Sequence, residues 1–218
     1  MNAEFKKQEY WDSRFESEET YDWLCTYPNI RSHLAPLIKP TDKILVVGCG
    51  NSTFSADLYD DGYKNITNID YSGNVVRAMQ AKYSEGKPEM LWVEMNMLDL
   101  TFEDSSFDVV IDKAAMDALM VDEGDLWHPK EDCVRSAHQM CAGIARVLRD
   151  TGVHLQISFA QPHFRTKYLI GERYTNSVTS PYSRSVGKSE VYPWTLEFET
   201  ISVEKGCLDS FFYIMRKC

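Results

Sequence analysis

The chain has 218 residues, 44% of them hydrophobic, and a formal net charge of −10 at pH 7. That length makes one domain with a substantial buried core, and the acidic balance argues against unaided nucleic-acid binding, which needs a basic face. The opening residues mix charges with aromatics and no stretch approaches the roughly 18 apolar residues of a membrane span, so neither a secretory leader nor a membrane anchor is expected, and a cytoplasmic protein is.

Within residues 1–40, Trp11 and Phe15 stand four apart and share a face if the segment is helical, and Trp23 follows a short acidic stretch. Composition alone makes them a staple of the N-terminus to the core. From residue 43 strand-like runs alternate with helix-like ones, the pattern of a parallel sheet covered on both faces. Strand one, Lys43–Val47, drives into Gly48-Cys49-Gly50, and strand two, Asn65–Asp70, ends on a carboxylate twenty residues beyond Gly50, followed by Tyr71. Strand three is Met90–Glu94, with Asn96 and Met97 just beyond, and strand four is Phe107–Asp112, with Lys113 next. Val134, Ala137, Cys141, Ile144, Ala145 and Leu148 mark one helix face, which Gly152 is expected to end before strand five, Val153–Ser158. A Ser/Thr-rich stretch, Tyr174–Ser189, then reads as a substrate-facing loop. Trp194–Val203 and Phe211–Arg216 form a closing antiparallel hairpin about Glu204-Lys205-Gly206-Cys207. The single domain thus divides into a lead-in (1–40), a core (41–160) and a loop with the closing hairpin (161–218).

The Gly-x-Gly turn lets a ligand approach bare backbone, and Asp70 stands where a carboxylate accepts both hydroxyls of a ribose. A dinucleotide site wants a third glycine where this chain has Thr53, which weakens a nicotinamide reading. The terminal hairpin suits the S-adenosylmethionine-dependent methyltransferases better, by analogy of fold. The six cysteines show no Cys-x-x-Cys pair and the five histidines no ligand set, so free thiols and no metal site are expected.

Longer segments narrow the field. Leu45-Val46-Val47-Gly48-Cys49-Gly50-Asn51-Ser52, Tyr10-Trp11-Asp12-Ser13-Arg14-Phe15, Tyr21-Asp22-Trp23, Ile69-Asp70-Tyr71-Ser72 and Pro162-His163-Phe164-Arg165-Thr166 are similar to those of one methyltransferase-like family. It includes lysine methyltransferases acting on translation elongation factor 1-alpha, one of them related to an endothelin-converting enzyme. The resemblance implies a Rossmann-like class I methyltransferase fold, α/β, with a seven-stranded mostly parallel sheet and a C-terminal antiparallel hairpin. It implies S-adenosyl-L-methionine as cofactor, S-adenosyl-L-homocysteine as product, and a basic protein substrate, possibly elongation factor 1-alpha. Gly48, Cys49, Gly50, Asp70, Tyr71, Asn96, Met97 and Lys113 are implied to bind the cofactor, with Trp11, Phe15 and Trp23 laid over it as a lid. Asp112 and Asp117 are weak candidates for orienting an incoming ammonium, and Asp117 reads equally well as a helix-start carboxylate. Where the family reads Lys-Gly-Thr after strand four, this chain reads Lys113-Ala114-Ala115. Methylation of a small molecule, or cofactor binding without turnover, remain the alternatives.

Overall fold

The computed structural model describes residues 3–171, 185–201 and 209–218, and only the backbone of residues 185–187. The expected substrate-facing loop lies largely outside the described residues, as does the hairpin turn at 204–207.

Among the described residues eight strands form one sheet: β1 (Ile44–Val47), β2 (Ile66–Asp70), β3 (Leu91–Glu94), β4 (Phe107–Lys113), β5 (Leu148–Ser158), β6 (Ser185–Lys188), β7 (Trp194–Ile201) and β8 (Ser210–Lys217). Their order is β3-β2-β1-β4-β5-β8-β7-β6. β1 to β5 are mutually parallel, while β8 runs antiparallel to β5, β7 to β8 and β6 to β7. The expected seven strands are present with the closing hairpin, and the short β6 adds an eighth at the edge. β6 lacks an apolar run to announce it, reading Ser-Val-Gly-Lys.

Among the described residues seven α-helices flank the sheet: α1 (Gln8–Ser17), α2 (Tyr27–Leu34), α3 (Phe54–Asp60), α4 (Gly73–Tyr83), α5 (Ala115–Leu119), α6 (Glu131–Val147) and α7 (Pro162–Ile170). Because side chains alternate along a strand, β1 feeds both faces. Ile44 and Val46 pack with Ile30, Leu34, Leu58 and Met79 of α2, α3 and α4, and Leu45 and Val47 with Met116, Ala137, Cys141 and Ile144 of α5 and α6. Burial on both faces is why β1 reads as an unbroken apolar run.

The boundary between α6 and β5 corrects the sequence reading. The helix stops at Val147, and Leu148, expected on its face, turns extended and pairs with Phe107 of β4. Gly152 is not a helix stop but lies inside β5, where the β4–β5 register shifts. A Cβ there would sit 2.8 Å from the Arg149 carbonyl oxygen and 2.9 Å from that of Asp108. Close backbone approach at a bulge, rather than capping, requires this glycine.

Candidate active site

A cavity of about 500 Å³ opens at the carboxyl ends of β1, β2 and β4, where β1 has one neighbour from each half of the sheet. Ligands collect at that position in open α/β sheets, and the volume is that of a small-molecule site. Its wall includes Trp11, Phe15, Trp23, Gly48, Cys49, Gly50, Asp70, Tyr71, Asn96, Met97 and Lys113, so the fold brings together every residue expected at a cofactor.

The floor follows from two left-handed glycines, Gly48 at φ 57° and Gly50 at φ 52°. A Cβ on Gly48 would lie 2.5 Å from the Cβ of Ala115, so the loop needs both the conformation and the bare Cα. Asp70 is 5% exposed. Its Oδ2 accepts the Gly50 N–H at 3.0 Å and its Oδ1 the Ser72 N–H at 3.0 Å. Burial pushes its carboxyl up to about 6, against the pull of these backbone donors. Each oxygen keeps a further lone pair for a ligand hydroxyl. Asn96 folds its Oδ1 back onto the Leu98 N–H at 2.9 Å, which leaves the amide nitrogen for a ligand.

The N-terminal segment lies over this floor. Trp11 and Phe15 stack at 5.6 Å on α1, and Phe5 packs 5.5 Å from Trp11 and 5.6 Å from Trp23. The Arg14 guanidinium sits over Trp11, Tyr21 and Trp23 at 5.1–5.6 Å. Polar ties hold the segment down. Lys113 Nζ donates to Asp22 Oδ1 and to the Trp23 carbonyl, each at 3.1 Å. The Ser52 and Thr53 hydroxyls donate to the same Asp22 carboxylate. Asn51 donates to the Glu18 carbonyl at 2.9 Å, Ser72 to Asp12 at 2.5 Å, and Gln8 to the Tyr71 carbonyl at 2.8 Å. Burial raises the Asp22 carboxyl, but the Lys113 charge and the hydroxyl donors hold it below its usual value.

Neither Asp112 nor Asp117 is free to meet an incoming ammonium. Asp112 is fully buried and absent from the cavity wall. Its Oδ1 accepts the Ala115 and Met116 N–H groups at the start of α5, and its Oδ2 the Gln156 amide at 2.7 Å. Asp117 borders the cavity, but its carboxylate is committed to Arg165 Nη2 and the Ser158 hydroxyl, both at 2.5 Å, and to the Phe159 N–H.

Ala114 adopts φ 66°, ψ 2°, the left-handed conformation that glycine takes up without a Cβ penalty. That costs an alanine roughly 1–2 kcal/mol, of which glycine returns part through its unfolded-state entropy. Ala114→Gly is expected to raise stability by about 0.5–1 kcal/mol in urea unfolding; a loss would show that the loop carries no such strain.

Sequence reasoning assigned no role to Asp22, Ser52, Phe5, Phe54, Leu24, Leu119, Phe159 and Ser210, all of which but Asp22 line the cavity. Asp22 lies 91 residues from Lys113, and no local pattern signals such a pair. Among the described residues no group of three or more metal-ligating side chains converges.

Residues 44–152 match the family model described as a methyltransferase domain. The chain is 35% identical over 176 residues to EEF1A lysine methyltransferase 4 of Mus musculus, covering 79% of this chain and 69% of that protein. It is 38% identical over 168 residues to the eEF1A lysine and N-terminal methyltransferase of Homo sapiens, which covers 76% of this chain but only 23% of that longer protein. Among solved structures, the N-methyltransferase NodS from Bradyrhizobium japonicum in complex with S-adenosyl-l-homocysteine superimposes with a TM-score of 0.61 at 12% identity, over 97% of this chain and 98% of that one. At that identity the likeness is one of fold.

Proposed function

This chain belongs to the class I S-adenosylmethionine-dependent methyltransferases, and on that premise we propose that it methylates the ε-amine of a lysine on a protein, with elongation factor 1A as the substrate. The observation that carries the substrate is the 35% identity to EEF1A lysine methyltransferase 4, sustained along 79% of the chain. A cytoplasmic place of work belongs to the same reading, supported by Cys25, Cys49, Cys133, Cys141 and Cys218, all free thiols.

The residues present fit the cofactor. In this reading Gly48, Cys49 and Gly50 bring backbone against its amino-acid end and Asp70 accepts its ribose hydroxyls. Tyr71, Asn96 and Met97 border its base, Lys113 contributes its stem, and Trp11, Phe15 and Trp23 cover it. When bound, S-adenosylmethionine supplies an electrophilic methyl on a sulfonium, and transfer to a neutral amine leaves S-adenosylhomocysteine. The protein's task is then to orient and dehydrate the acceptor. A lysine of pKa ~10.4 must lose its proton, at a cost of roughly 4 kcal/mol near neutral pH. Phe5, Leu24, Leu119 and Phe159 give the cavity apolar walls, which lower the amine pKa by withholding water from the charged form. With Asp22 neutralised by Lys113 and Asp117 by Arg165, neither carboxylate opposes that shift at full strength.

Asp70 gives this reading a pH signature. Its carboxyl titrates at about 6, and the ribose hydroxyls need the ionised form. Calorimetric affinity for S-adenosylhomocysteine should be level above about pH 7 and fall by up to tenfold per unit below about 6. Stability moves the other way. Asp70 and Asp112, both raised to about 6 by burial, bind more protons folded than unfolded. Their contribution is full below about pH 4, the unfolded carboxyl range, and is lost as pH rises through 6. The function itself is tested by radiolabelled methyl transfer into purified elongation factor 1A, with the modified lysine mapped by mass spectrometry. Cofactor binding with no labelled protein would overturn the protein-substrate reading.

A further inference from the structure

Large apolar side chains exposed on the described surface are Tyr21, Leu91, Leu126, Trp127, Phe159 and Val191. Two of them line the cavity, and two more stand against the helix that follows one of these. Tyr21 and Phe159 are part of its wall, and Phe159 leads three residues later into α7. Trp127 packs on the first turn of that helix, 5.3 Å from Phe164 and 6.2 Å from His163, and Leu126 precedes it. Trp127 is nevertheless 60% exposed and Leu126 40%. An indole this exposed is only partly used by the monomer, and tryptophan is one of the side chains enriched where proteins bind one another. The loop is held in shape. Asp125 Oδ1 accepts the Trp127 N–H at 2.9 Å, and Lys167 Nζ donates to the Leu126 carbonyl at 2.6 Å.

Charge decides what fits there. From residue 120 to 132 the chain carries five carboxylates, of which Asp122 is paired with Lys130 and Asp132 with Lys6, so the acidic excess there comes from Glu123, Asp125 and Glu131, in a protein of net charge −10. We propose that Leu126 and Trp127, packed on α7, into which the cavity residue Phe159 leads, are the docking surface for the substrate protein, and that they take an apolar residue flanked by lysines or arginines beside the target lysine. The apolar anchor supplies affinity and the surrounding carboxylates select a basic partner and speed its encounter. This rests on the protein-lysine reading above and extends it from the reacting amine to the segment that carries it.

The test compares the wild-type enzyme with Trp127→Ala and, as an independent exposed position, Leu126→Ser, using elongation factor 1A as acceptor. Each variant should raise the KM for the protein at least tenfold, leave kcat within about twofold, and keep the wild-type affinity for S-adenosylhomocysteine and melting temperature. The wild-type KM should also rise with added salt. Unchanged KM in both variants, with the wild type active, would overturn the docking surface and leave the methyltransferase reading standing. If the wild type binds S-adenosylhomocysteine but labels no protein, both fall together.

Discussion

Asp117→Ala should destabilise the protein by about 3–5 kcal/mol, the cost of stranding one member of a buried ion pair. Its partner Arg165 is 2% exposed, and the Nε and Nη1 of that guanidinium have no protein acceptor among the described residues. With the carboxylate gone, the buried charge would keep only a long contact to the Ser158 hydroxyl, at 3.4 Å. The same carboxylate joins α5 to the end of β5 through Ser158 and Phe159, so two walls of the cavity loosen together. Urea unfolding measures the loss. Asp117→Ala combined with Arg165→Met should recover most of it, because a neutral pair needs no counter-charge. A variant that unfolds like the wild type yet has lost turnover would return Asp117 to the chemistry.

Asp22→Ala is expected to cost roughly 2–3 kcal/mol and to weaken S-adenosylhomocysteine at least tenfold. Lys113 Nζ, on a side chain 6% exposed, is held by Asp22 and the Trp23 carbonyl. Removing the carboxylate leaves the ammonium with one neutral acceptor and frees the Ser52 and Thr53 hydroxyls from the segment above them. Because Asp22 is one of the joints between the aromatic segment and the strand ends, loosening of the segment should shift the emission of Trp11 and Trp23 to the red. Asp22→Asn, which keeps the acceptor oxygen, should lose less. Wild-type stability and affinity in Asp22→Ala would show that the aromatic segment is held without this pair.

The two variants mark where legibility in the sequence ended. Gly48, Gly50 and Asp70 could be read because each obeys a local rule: a tight turn needs glycine, and a carboxylate at a strand end faces the ligand crevice. The strands were readable to within a residue or so at most ends, since burial on two faces writes itself as an apolar run. The end of α6 was not, because nothing local tells Leu148 that it will find Phe107 of β4 as a partner. Asp112 and Asp117 were weak candidates for an ammonium, Asp117 reading equally well as the helix-start carboxylate it is in α5, and the fold matches them with Gln156 and Arg165.

The sequence by itself determined the parallel sheet, the closing hairpin and the glycine turn, since periodicity, turn chemistry and strand propensity act over a few residues at a time; the aromatic segment was placed over that turn only by the family resemblance, composition alone reading it as a staple to the core. Tertiary structure alone decided which charges are neutralised. Asp22 with Lys113 and Asp117 with Arg165 are 91 and 48 residues apart, and the worth of a charge depends on what desolvates it and what faces it, neither of which is a local property of the chain.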